Sequence, residues 1–197
     1  LAWTTGENGT RTMYMDMLAR GGFHIYTTLN MDVQNNVDMI YENLDEIPET
    51  RSGQQLQSAI VVIDNSTGDI VAMAGGVGNE KAHFGFNRAT DATLQSGSSI
   101  KPLSIYAPGF ESGALTPATV IADLPVKYDR GSPWPKNDNR KYLVSRTVFS
   151  GIEDSVNAVA ANSAKKIGLD YGYEFAKESF GISTLVEGDI QLGSLAL

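Results

Sequence analysis

The chain has no cysteine and only two histidines, His24 and His83, in 197 residues. The first absence excludes disulfides, thiol nucleophiles and cysteine-based metal sites. It also suits an oxidising or exposed setting, where a free thiol is a liability. The second leaves little from which to build a His-based triad or a multi-His metal centre, and both histidines read as packing or surface residues. If a serine is activated here, a group other than imidazole has to take its proton. No run comes near the roughly 18 consecutive apolar residues of a membrane span, and no signal peptide opens the chain. Leu1 is not a natural start, which leaves room for an anchor upstream of it. Clustered basic residues are missing too: 15 Lys and Arg are scattered among 23 acidic residues for a net charge of -8, which argues against a nucleic-acid grip. What is present is ordinary for a globular chain: 42% hydrophobic and 19% charged residues, at a length that builds a core without staples.

Residues 1–22 mix helix formers with Gly and Thr and read as an incoming connector, with Met13, Met15 and Met17 in a packing or flexible segment. FHIYTTLN is rich in β-branched and aromatic residues and leads into an Asn–Asp helix start. Over MDVQNNVDMIYENL the apolar residues Val33, Val37, Ile40, Tyr41 and Leu44 recur at helical spacing. Pro48 and Gly53 break that pattern, which puts a connecting region at 1–57 and the first part of a domain at 58–197. QSAIVVID and DIVAMAGG flank the turn-forming NSTG and predict a β-hairpin with half- or fully buried strands, Asp64 and Asp69 belonging to the turn. Residues 116–139 read as a Pro- and Gly-rich loop. LVSRTVFSGIEDSVNAVAANSAKKIG reads as helical, with Val156, Val159 and Ile167 on its core face and Gly168 at the C-cap, and YGYEFAKESFG as a further helix ending at Gly181. Arg146 and Glu153 are expected to form a local ion pair or solvated contacts. The final LGSLAL is apolar, as if a domain were interrupted there.

The stretch QSGSSIKPL carries the chemistry. In a helix starting near Gly97, Ser98 and Lys101 at i and i+3 share a face. A neutral serine hydroxyl is a poor nucleophile, and a lysine whose pKa is lowered by burial is able to accept its proton. A helix N-terminus adds N–H donors and a field favouring negative charge on an attacked carbonyl. Sixteen serines and eight lysines supply roughly one such spacing by chance, and a second, Ser163 to Lys166, lies in an Ala-rich helix and reads as a solvated helix face. Ser98 read alone is equally an N-cap serine. Ser155-Val156-Asn157 tips the balance: a second hydroxyl to relay a proton, and a carboxamide to hold the lysine and a substrate amide.

Together the two motifs resemble those of the penicilloyl serine transferases, the penicillin-binding proteins and class A β-lactamases, which carry S-x-x-K, S-x-N and K-T-G in that order. GGFHIYTTLN is similar to the segment introducing the transpeptidase domain of the class A, bifunctional penicillin-binding proteins. SAIVVIDNSTGDIVAMAGG resembles that family's first hairpin, FNRATDATLQSGSSIKPL its approach to the active serine, and SPWPKN with VSRTVFSGIEDSVNAVA its run into S-x-N. The resemblance implies an α+β fold: an antiparallel sheet flanked by helices, with the Ser98 helix packed on it and a helical subdomain carrying Ser155. By the same resemblance Ser98 is the acylated nucleophile, Lys101 the general base, Ser155 the proton shuttle and Asn157 a ligand of lysine and substrate amide. Trp134 is a candidate for lining the substrate cleft, although a loop anchor is its commoner role. The implied reaction is D,D-transpeptidation of peptidoglycan stem peptides on glycan strands, with β-lactams acylating the same serine and no cofactor or metal. A non-catalytic β-lactam sensor, a D,D-carboxypeptidase or β-lactamase, and a scaffold domain are the alternative functions. No K-[ST]-G triplet follows Ser155, since Ser66-Thr67-Gly68 lacks the lysine and lies in the hairpin turn. The triplet is expected beyond Leu197, on a C-terminal fragment of the same protein, which would leave the fold here incomplete at its C-terminus and the hairpin with an unpaired edge. Upstream, the resemblance implies a glycosyltransferase domain and a membrane anchor, with the whole at the extracellular face of the bacterial cytoplasmic membrane and this piece soluble.

Overall fold

Asn30 shows how the sequence starts its first helix: its side-chain oxygen accepts hydrogen bonds from the Asp32 and Val33 amides, and Asp32 sits in the first turn, where a carboxylate suits the helix dipole. The computed structural model describes residues 17–78, apart from 44, 46 and 49, and residues 85–197. Most of the connector read over residues 1–22, together with Leu44 and His83, therefore lies outside the described residues; of the alternating methionines, Met17 alone is within them, and it is exposed. Two compact units result, one up to Ala92 and one from Thr93 to Leu197.

In the first unit, helix α1 (Met31–Glu42) packs on a two-stranded antiparallel hairpin of β1 (Ile60–Ile63) and β2 (Ile70–Ala74), paired Ile60 to Ala74 and Val61 to Met73. The NSTG turn forms as its composition dictates. Asp64 accepts from the Ser66 amide and hydroxyl, which holds its carboxyl below the usual range, and Gly68 takes the left-handed φ of +80°. FHIYTTLN forms neither helix nor ladder strand. Instead the Thr28 hydroxyl donates to the Ile70 carbonyl, the Asn30 amide donates to the Val71 carbonyl, and Gln34 both donates to and accepts from the Met73 backbone. These groups partner backbone that β2 would otherwise leave open. The strands are less buried than their apolar runs predict: Ala72 alone is fully buried, and Ile63 and Ile70 are exposed. Two strands have two faces and α1 covers only part of one. On α1 itself Val37 is buried while Ile40 faces solvent, so the contact stripe is narrower than the periodicity predicts.

The second unit opens with a run of helix whose winding changes: a 3₁₀ turn at Gly97–Ile100, a π-helical turn at Pro102–Tyr106, then α2 (Ala107–Glu111). The uniform α-helix expected from Gly97 is thus corrected; Pro102 lacks the N–H that would continue a regular ladder. The loop expected over 116–139 contains three strands: β3 (Val120–Asp123), β4 (Lys127–Asp129) and β5 (Ser132–Trp134). β4 and β5 form a small hairpin, and β3 pairs antiparallel with β6 (Val144–Thr147), Val120 opposite Thr147. The single helical reading of 143–168 is corrected as well. β6 runs into α3 (Val148–Glu153), capped by the Thr147 hydroxyl, and the chain then breaks before α4 (Asn157–Ile167). Gly168 caps α4 as expected, and α5 (Leu169–Phe180) ends at left-handed Gly181. The final apolar run makes the short α6 (Leu192–Leu195).

The core of this unit joins Ile105 and Tyr106 of the π-helical turn to Val148, Val159, Ala160 and Ala164 of α3 and α4, Tyr173 of α5, and Leu195. Small residues set the spacing. A Cβ on Gly151 would lie 2.5 Å from the Val159 side chain, so α3 and α4 approach as closely as they do because that position is glycine. Buried Ser104 donates to the carbonyls of Ile100 and Leu195, tying the last helix to the run that carries Ser98.

Candidate active site

The site is made by two backbone features that lie far apart in sequence, a turn at Gly97 and a break between α3 and α4. Gly97 takes φ +59°, and the 3₁₀ turn it opens presents Ser98 at the surface, where its hydroxyl has no hydrogen-bond partner among the described residues. One turn on, Lys101 is 2% exposed and points into the unit. Its ammonium donates to three acceptors: the Ser155 carbonyl at 2.9 Å, the Ser155 Oγ at 3.2 Å and the Asn157 Oδ1 at 2.5 Å. The break between α3 and α4 produces this cluster. Ser155 takes φ +50°, an uncommon conformation for a serine, which brings its carbonyl and hydroxyl to the same amine. Asn157 is the first residue of α4, and its Nδ2 donates to the Lys136 carbonyl, so the carboxamide is gripped at both ends.

Burial lowers the Lys101 pKa from 10.5 to about 8, because desolvation penalises the charged form. All three acceptors are neutral dipoles, and a carboxylate in their place would push the amine the other way. Near neutrality about a tenth of the molecules then carry an uncharged amine. That amine keeps two N–H donors for the Asn157 and Ser155 carbonyl oxygens and turns its lone pair toward a hydroxyl.

A second polar cluster lies behind the first. Arg146 pairs with Asp123 at 3.1 Å and with Asp154, the neighbour of Ser155, and it also donates to the Ser150 hydroxyl. The carboxylate partners of Arg146 are Asp123 and Asp154, so the ion-pair half of the Glu153 expectation is corrected, and the exposed Glu153 fits the solvated-contact half. The carboxylate hydrogen bonds, Asp154 first, raise the guanidinium pKa. Asn137, Asp138, Arg146, Asp154 and Val156 line a polar cavity of about 230 Å³ that Ser155 also borders.

Of the residues singled out by sequence, Lys101, Ser155 and Asn157 are in direct contact, with Ser98 one turn from the lysine. Trp134 stands apart from them: it is half-buried, with the Lys127 ammonium 4.8 Å above its ring, in the β4–β5 hairpin. Ser163 is fully buried with its hydroxyl unpartnered, which corrects the solvated face read there, while Lys166 is exposed as expected. Asp123 and Asn137 were not singled out by the sequence reading. Their hydrogen-bond partners lie 4 to 23 positions away, and the polar SPWPKN segment is the sole cue.

This geometry defines a class of site built on serine and lysine in place of serine and histidine. The chain belongs to the family described as the penicillin binding protein transpeptidase domain, whose model matches residues 58–191. Among curated relatives it is 31% identical over 193 residues to penicillin-binding protein 1A of Clostridium botulinum, covering 92% of this chain and 23% of that protein. To penicillin-binding protein 2a of Streptococcus pneumoniae it is 33% identical over 172 residues, covering 84% and 23%. The chain thus spans about a quarter of these relatives' length. Among solved structures, penicillin-binding protein 1A of Haemophilus influenzae matches with a TM-score of 0.58 at 32% identity, over 77% of this chain and 24% of that one. PonA1 of Mycobacterium tuberculosis in complex with penicillin V matches with a TM-score of 0.67 at 21% identity, over 93% and 46%, a likeness of fold. The expected class A penicillin-binding protein resemblance and the α+β transpeptidase fold are borne out.

Proposed function

We propose that this chain supplies the serine–lysine half of a D,D-transpeptidase site that cross-links peptidoglycan stem peptides. The observation that carries the reading is the Lys101 amine: buried, lowered to about pKa 8, and fixed by the SxN motif one turn from an exposed serine. In this reading Ser98 Oγ attacks the carbonyl carbon of the penultimate D-Ala, and its proton passes to neutral Lys101 Nζ. The tetrahedral adduct collapses as the C–N bond to the terminal D-Ala breaks, and the leaving amine takes the proton by way of the Ser155 hydroxyl. The acyl-enzyme ester is then attacked by an amino group of a neighbouring stem peptide, which returns the hydrogen to Ser98. Asn157 Oδ1 holds the lysine throughout. One hydrogen of its Nδ2 goes to the Lys136 carbonyl, which leaves the second to donate to a substrate amide carbonyl. β-Lactams, whose strained amide resembles the D-Ala–D-Ala terminus, acylate the same serine.

The domain reading follows: residues 58–197 form the first part of the transpeptidase domain, entered through the connecting region at 1–57. A K-[ST]-G triplet, which would bind the substrate carboxylate, comes from a segment of the same protein outside these residues, consistent with the quarter of each relative that the chain spans. By the same analogy the complete protein bears a glycosyltransferase domain and a membrane anchor and works at the outer face of the cytoplasmic membrane. Among the described residues no helix is long and apolar enough to cross a membrane. Intact-mass spectrometry of the full-length protein after incubation with a fluorescent penicillin tests the assignment. A single adduct on the Ser98 peptide, absent in Ser98→Ala, is expected; a folded full-length protein that takes up none overturns it.

A further inference from the structure

Helix α4 begins without a local cap. Its N-cap residue is Val156, which is apolar and buried and has no side chain to accept from the first-turn amides. The missing acceptor is delivered from another segment. Asn137, on the loop after β5, accepts the Ala158 N–H at 2.9 Å through its Oδ1. Its Nδ2 uses both hydrogens, one on Asp123 Oδ1 at 2.7 Å and one on the Lys141 carbonyl at 2.8 Å. Two donors and one acceptor are thereby satisfied in one plane, which fixes the orientation of the amide. Asn137 is 5% exposed and Asp123 is fully buried, held in turn by the Leu143 amide and by Arg146. The adjacent residue, Lys136, offers the carbonyl that takes Asn157 Nδ2. Two consecutive loop residues therefore grip two consecutive residues of α4, and the first of those holds Lys101.

Building on the reading that Lys101 takes the serine proton, we infer that the buried Asp123–Asn137 pair is a positioning device for that step: it caps α4 from outside the helix and so fixes the Asn157 carboxamide against the lysine. Neither residue touches the reacting atoms. A catalytic carboxamide on the first residue of a helix rests on the least secured turn of that helix, and a cap supplied by a rigid, buried pair removes that freedom. Small displacements of a base from its nucleophile are costly, of the order of 10²-fold per ångström.

The test is stopped-flow acylation of the full-length protein by a fluorescent penicillin, reading rate constant and labelled amplitude separately. Asn137→Ala is expected to label to full amplitude at Ser98 with an acylation rate constant lower by about 10²-fold, and with pre-acylation binding unchanged. Wild-type rate at full amplitude overturns the inference. So does wild-type rate at reduced amplitude, which marks a residue that only supports folding. Should Asn137→Ala fail to fold, Asn137→Asp and the exchange Asp123→Asn with Asn137→Asp replace it. The single change sets two carboxylates together, and the exchange restores the link with the donor reversed, so the rate is expected to fall in the first and recover in part in the second. No recovery in a folded exchange variant overturns the inference. If the wild-type protein itself takes no label at Ser98, the transpeptidase reading fails and not the positioning.

Discussion

The molecule contains the same four-residue spacing twice, at Ser98–Lys101 and at Ser163–Lys166, and the two copies are buried in opposite senses. At the first the serine is exposed and the lysine is 2% exposed; at the second the serine is fully buried and the lysine lies in solvent. A base needs a lowered pKa and a nucleophile needs access, so only the first copy is built for chemistry. The difference comes from the backbone: the first copy spans a change from 3₁₀ to π winding, while the second sits in the regular α4.

The largest effects break the comparison outright. Lys101→Ala is expected to slow acylation of the full-length protein by 10²- to 10⁴-fold, while Lys166→Ala leaves it unchanged; a matching loss at Lys166, measured with the same fluorescent penicillin, would erase the distinction. The pH dependence sharpens it. Because burial depresses the Lys101 pKa to about 8, the reactive neutral form grows as pH rises, so the acylation rate constant is expected to climb about tenfold from pH 6 to 7 and to level off above 8. A flat profile across that range in a folded enzyme would remove Lys101 as the base. Smaller effects concern stability. Gly151→Ala forces a methyl against Val159 and is expected to cost about 1–3 kcal/mol, seen as an earlier midpoint in chemical denaturation. Ser163→Ala removes an unpartnered buried hydroxyl and is expected to raise stability by about 1 kcal/mol with acylation intact, in contrast to Ser98→Ala, which removes acylation and leaves stability nearly unchanged.

Local patterns were legible where neighbours in sequence are neighbours in space. The Asp64 turn, the Asn30 cap, the glycine ends of α4 and α5 and the first hairpin all follow from side chains acting within a few positions. Periodicity misled where apolar residues recur without a helix. The run around Val144 to Val156 reads as one helix, yet Val144–Thr147 is spent pairing with β3, and the chain breaks again where Ser155 meets the Lys101 amine. The loop from Thr116 hid three strands because strands of three or four residues leave no periodicity to read. Arg146 takes Asp154 and leaves Glu153 in solvent, since one position along the chain there turns a side chain by about 100°.

By itself the sequence determined the residue types available for chemistry: no thiol, almost no imidazole, and a Ser–Lys pair followed by an SxN triplet whose order marks the family. It also determined the local caps and turns, because these depend on short-range geometry. Which of two identical spacings joins a buried lysine to an exposed serine, how far the Lys101 pKa falls, and that Asn137 caps a helix twenty residues away were decided by tertiary structure alone. Burial and hydrogen bonding depend on what the rest of the chain brings close, and spacing along the chain carries no measure of that.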